Sequence, residues 1–210
     1  MPLSNNSIER ICKVFGHLDT LDKQNVTFIS SMDLAKAIGA TAYTVRKDIS
    51  LLDITGYTRK GYDVKTLKQE LGRKLCLNKK RKACIVGLGR LGGALLDYEK
   101  FQEDGFDIVA GFDSNINKLE RIHTDIDVYP VSRINEIIER KNIELGIITV
   151  PAEHAQSIAD TLTKAGVTGI LNFSHVKINL PKPIINMNLD FTNALRFIAA
   201  KLSGDITNKQ

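Results

Sequence analysis

Apolar residues recur at spacings of three and four near the start of the chain. Ile8, Ile11, Cys12, Phe15, Leu18 and Leu21 share one face of a predicted helix, which Ser4 or Ser7 can cap and Gly16 interrupts. Asn25-Val26-Thr27-Phe28-Ile29 reads as a short extended piece. Ser30 or Ser31 then opens a second helix with Leu34, Ala35 and Ile38 apolar, and Gly39 ends it as a left-handed cap. Thr41 caps a third helix whose stripe is Val45, Ile49 and Leu52. Two short helices across a glycine turn form the helix-turn-helix pattern, and the second carries Tyr43, Thr44, Arg46 and Lys47 off its apolar face. Gly56 to Tyr62 is bracketed by glycines and basic at its tip, Arg59 and Lys60, as a β-hairpin wing would be. A helix over about 65–76 and the run Lys79-Lys80-Arg81-Lys82 complete this part.

From Ala83 the rhythm changes. Short apolar runs at Ala83-Cys84-Ile85-Val86, 107–112, 145–150 and 168–172 read as buried strands. Between them lie helical patterns over about 90–101, around Ile134, Ile137 and Ile138, and around Ala155, Ile158, Ala159 and Leu162. Strands alternating with helices predict a doubly wound parallel sheet. A last helix, about 189–202, carries Phe191, Leu195, Ile198 and Leu202, and a polar tail begins at Asp205. The predicted fold is therefore α/β: an N-terminal winged-helix domain (1–80), a Rossmann-like domain (81–186) and a C-terminal helix and tail (187–210).

Charge sharpens this division. Residues 1–82 hold 16 basic and 8 acidic side chains, a net +8, whereas the remainder nets −3. A basic front part points to a polyanionic partner, with the second helix of the pair in a major groove and the wing along the backbone or in the minor groove. Arg46 and Tyr43 are placed to reach base edges. Cys12, Cys76 and Cys84 are too few and too scattered for a disulfide framework or a metal knuckle, so they read as reduced thiols in a cytoplasmic protein. The first residues lack a signal-peptide pattern, and no apolar run approaches the roughly 20 residues needed to span a bilayer.

Gly87-Leu88-Gly89-Arg90-Leu91-Gly92 is a G-x-G-x-x-G between a strand and a helix, the context in which that motif cradles a pyrophosphate. Asp113 ends the second strand 21 residues after Gly92, where a carboxylate accepts hydrogen bonds from the adenosine ribose and repels a 2′-phosphate. Lys118 softens that preference. Thr149-Val150-Pro151 and Asn172-Phe173 end the third and fourth strands and are expected to border the nicotinamide. His154 and His175 are the candidate acid/base groups for an oxidoreductase. The roughly 35 residues after the fourth strand leave too little chain for a separate substrate domain, which favours a sensor over an enzyme. A CoA-binding module is a further alternative.

Over about residues 7–202 the chain resembles the Rex family of redox-sensing transcriptional repressors. The marks are Val45-Arg46-Lys47-Asp48-Ile49-Ser50, Gly61-Tyr62-Asp63-Val64, Ile85 to Gly92, Thr149-Val150-Pro151, Gly169-Ile170-Leu171-Asn172-Phe173 and Asp190-Phe191. The resemblance implies a homodimer on palindromic double-stranded operator DNA, bound NAD(H), release of DNA by NADH, and a C-terminal helix swapped onto the partner subunit. It implies cofactor contacts from the glycine loop, Asp113, Lys118, the two strand ends and Phe191, and switch roles for Tyr98 and Asp190. The chain departs from the family pattern at Gly16, Leu51-Leu52-Asp53, Lys60 and His175. An altered wing also leaves room for a nucleotide-binding paralogue without specific DNA recognition.

Overall fold

Side-chain caps set the helix boundaries at the front of the molecule. Ser4 accepts from the Ser7 N–H at the start of α1 (Asn5–Lys23), Ser30 from Asp33 at α2 (Ser31–Ile38), Thr41 from Thr44 at α3 (Ala42–Ser50), and Asp63 from Thr66 at α4 (Val64–Lys74). Gly39 leaves α2 at φ 68°, the left-handed turn that an L side chain resists. Strands β1 (Phe28–Ile29) and β2 (Tyr62–Asp63) pair antiparallel. Together these form one compact unit up to Lys79, and a second begins at Lys80. The structure, a computed structural model, describes residues 3–57 and 60–202; the side chain of Lys118 lies outside the described residues, as do Arg59 and the polar tail from Asp205.

The first unit packs Leu18, Leu34, Ile49, Leu67 and Leu71 into a common core. Its buried stripe on α1 runs through Ile11, Val14 and Leu18, leaving Cys12 exposed and Ile8 at the surface, so the face is rotated slightly from the sequence pattern. A charged pair sits at the seam between α1 and α3. Asp48 is buried and takes Arg10 Nε at 2.6 Å and Nη2 at 3.1 Å, while Nη2 also donates to the buried Ser7 hydroxyl at 3.2 Å. This fork raises the Arg10 pKa, chiefly through the hydrogen bond to Asp48, and it locks α3 against α1.

The second unit contains β3 (Arg81–Val86), α5 (Arg90–Leu96), α6 (Glu99–Glu103), β4 (Phe106–Asp113), α7 (Ile116–Leu119) and β5 (Val128–Pro130). There follow α8 (Ile134–Lys141), β6 (Leu145–Ile148), α9 (Ala152–Lys164), β7 (Gly169–Asn172), β8 (Ile185–Asn188) and α10 (Phe191–Leu202). All strands of this sheet run parallel in the order β5-β4-β3-β6-β7-β8. Two halves thus wind outward from β3 and β6, and the switch point between these strands opens a crevice at their C-terminal ends. Alternation along β3 sends Cys84 and Val86 to the face covered by α8 and α9, and Ile85 to the face covered by α5 and α7.

The sequence pattern differs from the structure at several places, among them α7, which it does not predict, and Gly16, through which α1 runs unbroken. The helix expected over 90–101 breaks at Asp97–Tyr98, where Tyr98 is extended (ψ 96°) and Thr124 donates to the Asp97 carboxylate. The strand expected over 145–150 ends at Ile148. Strands β5 and β8 were not anticipated, and β8 straddles the expected 186/187 boundary.

Replacing Asp48 with Ala strands the Arg10 guanidinium in a seam it cannot leave cheaply. A loss of about 1–3 kcal/mol is expected by urea unfolding, and a second change, Arg10→Met, should restore part of it.

Candidate functional site

At the switch point three strands converge on the glycine loop. Gly87 takes φ +97°, and a Cβ there would lie 2.8 Å from Val150 Cγ1. A Cβ on Gly92 would fall 2.0 Å from the Gly87 carbonyl oxygen and 2.6 Å from Thr149 Oγ1. From β6, the Thr149 hydroxyl donates to the Gly87 carbonyl at 2.6 Å. From β4, the Asp113 carboxylate accepts the Leu88 N–H at 2.8 Å and the Asn115 N–H at 2.9 Å, and the residue is only 6% exposed. Gly89 caps α5 with nothing within 4 Å of its ideal Cβ position, so the backbone there stands open to a ligand.

These elements border a cleft of about 770 Å³. Of the residues expected to hold a cofactor, Gly87, Gly89, Leu91, Asp113, Thr149, Val150 and Pro151 line it. Others take different places. The Leu88 side chain is buried in the core beneath α5, and Gly92 packs under the loop. Arg90 is exposed outside the lining. Asn172 is fully buried: its amide donates to Val176 O and Asn188 Oδ1 at 2.8 Å, and its carbonyl accepts from the Ser174 N–H and hydroxyl. It therefore shapes the turn that brings Phe173, Ser174 and His175 onto the cleft, rather than lining the cleft itself. Phe191 on α10 stacks against Phe173 with centroids 5.7 Å apart. Lining residues without a prior role include Ser114, Val131 and Ala152, all within a few positions of a strand end, where such sheets place ligand contacts, and Ser157 in α9.

Tyr98 lies at the helix break, half exposed and edge-on to Phe101 at 5.1 Å. Asp190 accepts the N–H groups of Thr192 and Asn193 at the start of α10. Tyr98 and Asp190 are placed on separate features, one on the α5–α6 break and the other beside the cleft rim.

In the first unit, α3 presents Tyr43 (69% exposed), Arg46 and Lys47 to solvent. Arg46 Nη1 donates to the Ser31 hydroxyl at 2.9 Å, which draws the guanidinium toward the start of α2. Thr44 serves the α3 cap instead, its hydroxyl 2.8 Å from that of Thr41. The wing closes through the Tyr57 N–H to Gly61 O bond at 2.6 Å, and Lys60 sits 5.5 Å over the Phe28 ring. A Cβ on Gly61, at φ +80°, would lie 2.3 Å from Ile29 O, so only glycine lets the wing return to β1.

Two family models match in sequence order. One, described as "Putative DNA-binding protein N-terminus", covers residues 3–50, and the other, "CoA binding domain", covers residues 78–176. The "Redox-sensing transcriptional repressor Rex" of Carboxydothermus hydrogenoformans is 36% identical over 95% of this chain and 96% of its own. The chain belongs to the Rex family. Two solved structures match at a TM-score of 0.85 and 30% identity. One is RSP in complex with beta-NADH, over 97% of this chain and 95% of that one. The other is RSP in complex with beta-NAD+ and operator DNA, over 99% of this chain and all of that one. Against these Rex relatives, the winged helix and the cleft are counterparts of whole folded parts rather than isolated motifs. Burial pushes the Cys84 thiol up to about 12, so it sits in the sheet core as a neutral thiol.

Asp113→Ala should do more than remove a charge. It leaves the Leu88 N–H without its acceptor, so a destabilisation of about 1–3 kcal/mol is expected by thermal or urea unfolding, together with a looser glycine loop.

Proposed function

We propose that the protein is a cytoplasmic redox-sensing transcriptional repressor, a homodimer that grips operator DNA through α3 and the wing and releases it when NADH occupies the cleft. The observation that carries this reading is the pairing of both devices in one chain that matches RSP, end to end, in the form holding beta-NAD+ and operator DNA. The exposed Arg46 and Lys47 supply phosphate affinity and base contact, with Tyr43, Lys60 and Arg59 alongside. The cleft takes the dinucleotide with its pyrophosphate over Gly89 and its adenosine ribose at Asp113, near Lys118, and its nicotinamide reaches toward the ends of β6 and β7. The fixed charge of Asp113 disfavours a phosphorylated ribose and so disfavours CoA.

The homodimer has structural support of its own. α10 buries none of its residues, and Phe191, Leu195, Phe197, Ile198 and Leu202 are all more than half exposed. In the same unit an almost wholly apolar groove of about 460 Å³ runs over β6, β7 and β8, lined by Tyr98, Phe101, Leu171, Ile185 and Met187. An apolar helix and an apolar sheet face left open in one chain fit an exchange between two copies, in which each large side chain buried contributes about 1.5–3 kcal/mol. Tyr98 lies in that groove, which connects it to the partner's helix in this reading. Residues 1–80, 81–186 and 187–210 are then the DNA-binding, cofactor-binding and exchanging parts, with β8 belonging to the sheet.

NADH must favour a dimer arrangement that DNA does not, since only differential affinity moves an equilibrium. Anisotropy titration of a palindromic duplex with NADH and NAD+ in parallel tests this. NADH should release the DNA and NAD+ should not, and an operator affinity unchanged by NADH refutes the sensor. Lys47→Ala should weaken binding across sequences and lower the salt slope by about 1. Leu195→Asp with Ile198→Asp should give monomers by sedimentation.

A further inference from the structure

The cleft ends beside a titratable pair that the dinucleotide reading leaves unused. Among the described residues lining the cleft, the ionisable groups are Asp113, His154 and His175. Asp113 stands at the ribose end and is engaged by two backbone N–H groups. His175 stands at the other end, on the turn after β7, with Nδ1 3.7 Å from Asp190 Oδ1. The buried Asn172 holds the turn that carries His175 to the rim, where its side chain is 69% exposed.

Asp190 is kept ionised. The N–H groups of Asn193 and then Thr192 hold its carboxyl below the usual range, and the charges of His175 and Arg196 act in the same direction. An imidazole, by contrast, changes charge between pH 5 and 8. The local charge at the rim is therefore close to zero when His175 is protonated and close to −1 when it is not. The other charged groups nearby are Lys177 on the same turn, Arg196 on α10 and His154 across the cleft on α9. Of these, His154 carries the same kind of side chain and lines the same cleft, so it must be separated by experiment.

The two redox forms of the cofactor differ in charge at one place. The oxidised nicotinamide ring is cationic and the reduced ring is neutral, while the phosphates and both riboses are the same. We propose that His175 and Asp190 form a proton-dependent charge gate at the nicotinamide end, which sets how strongly this cleft prefers the reduced ring over the oxidised one. The gate rests on the dinucleotide reading above and adds a residue that determines redox specificity. When His175 is protonated it offsets Asp190, and the cationic ring gains nothing at the rim. When His175 is neutral, Asp190 faces the ring uncompensated and favours the oxidised form. Lower pH therefore raises the preference for NADH. Because Asp190 also starts α10, and Phe173 stacks on Phe191, the charge state is felt where the exchanging helix begins.

The test is a set of affinities for NADH, NAD+ and ADP-ribose with the full-length protein at pH 6.0, 7.0 and 8.0 and constant ionic strength. In the unaltered protein the ratio of NAD+ to NADH dissociation constants should fall about threefold to fivefold from pH 6.0 to 8.0, the size expected of a partly exposed charge. His175→Ala should flatten that dependence, His175→Lys should hold the ratio at its low-pH value throughout, and His154→Ala should leave the dependence in place. ADP-ribose lacks the ring and should show no comparable change. A His175→Ala protein whose ratio follows pH as before overturns the gate, as does a pH effect shared in full by ADP-ribose, which would assign it to the phosphates. Normal NADH binding with no pH dependence sinks the gate alone, whereas no dinucleotide binding at any pH removes the underlying reading with it.

Discussion

A Cβ on Gly92 would come within 2.0 Å of the Gly87 carbonyl oxygen, and the rest of the second unit is arranged around that close approach. It lets α5 start directly against the end of β3, which leaves the loop between them tight enough to be held from both sides. The Thr149 hydroxyl holds it from β6 at 2.6 Å, and the Asp113 carboxylate holds it from β4 at 2.8 Å. A loop fixed by three strands of one sheet loses little freedom on binding a ligand, so contact energy is not spent on ordering it. The same geometry explains why Asp113 is nearly buried while it still borders the cleft.

The sheet that carries this loop is left unfinished on one face. Helices α8 and α9 cover one side over the central strands, but on the other α5, α6 and α7 leave β6 to β8 as an apolar groove. The helix that follows β8 carries its apolar residues to solvent instead of folding back. In the proposed reading this open sheet face and open helix make assembly part of the fold, so that the subunit's stability depends on its concentration. In the proposed reading, whatever alters the start of α10 alters the assembly that presents two α3 helices to DNA. Linkage then requires DNA to weaken NADH by the same factor that NADH weakens DNA.

Much of this was visible in the residues. The caps Ser4, Ser30 and Thr41, the Gly39 turn and the three-and-four spacing of Val45 and Ile49 are local signals that mark the helix-turn-helix in the sequence. The glycine loop was equally legible: Gly87 and Gly92 answer steric demands within the fold, and Gly89 leaves open space above the start of α5. The missing pieces depend on distant partners. β5 is three residues long, and β8 reads Ile-Asn-Met-Asn, too polar to stand out as a buried strand; pairing with β4 and β7 is what makes them strands. The Leu95–Phe101 spacing continues a helical stripe across Asp97, and the break there follows from Thr124, 27 positions away. Asn172 looks like a ligand contact because it ends a strand, yet its amide is consumed by the turn it builds. The burial of Asp48 on an otherwise apolar face makes sense only once Arg10, 38 positions earlier, is placed beside it.

The positions of these groups also locate where redox state can be read. The adenosine halves of NADH and NAD+ are identical, so Asp113 and the glycine loop contribute equally to binding both forms, and uniform binding shifts no equilibrium. In the proposed reading, discrimination arises at the far end of the cleft, lined by Thr149 to Pro151 and Phe173 to His175. That end is where α10 begins, with Phe191 against Phe173 and Asp190 beside His175. In the proposed reading, the chain thus joins the region that distinguishes the two cofactor forms to a helix whose apolar face packs on a second subunit. A signal at the ring needs no long path through the sheet to reach the assembly.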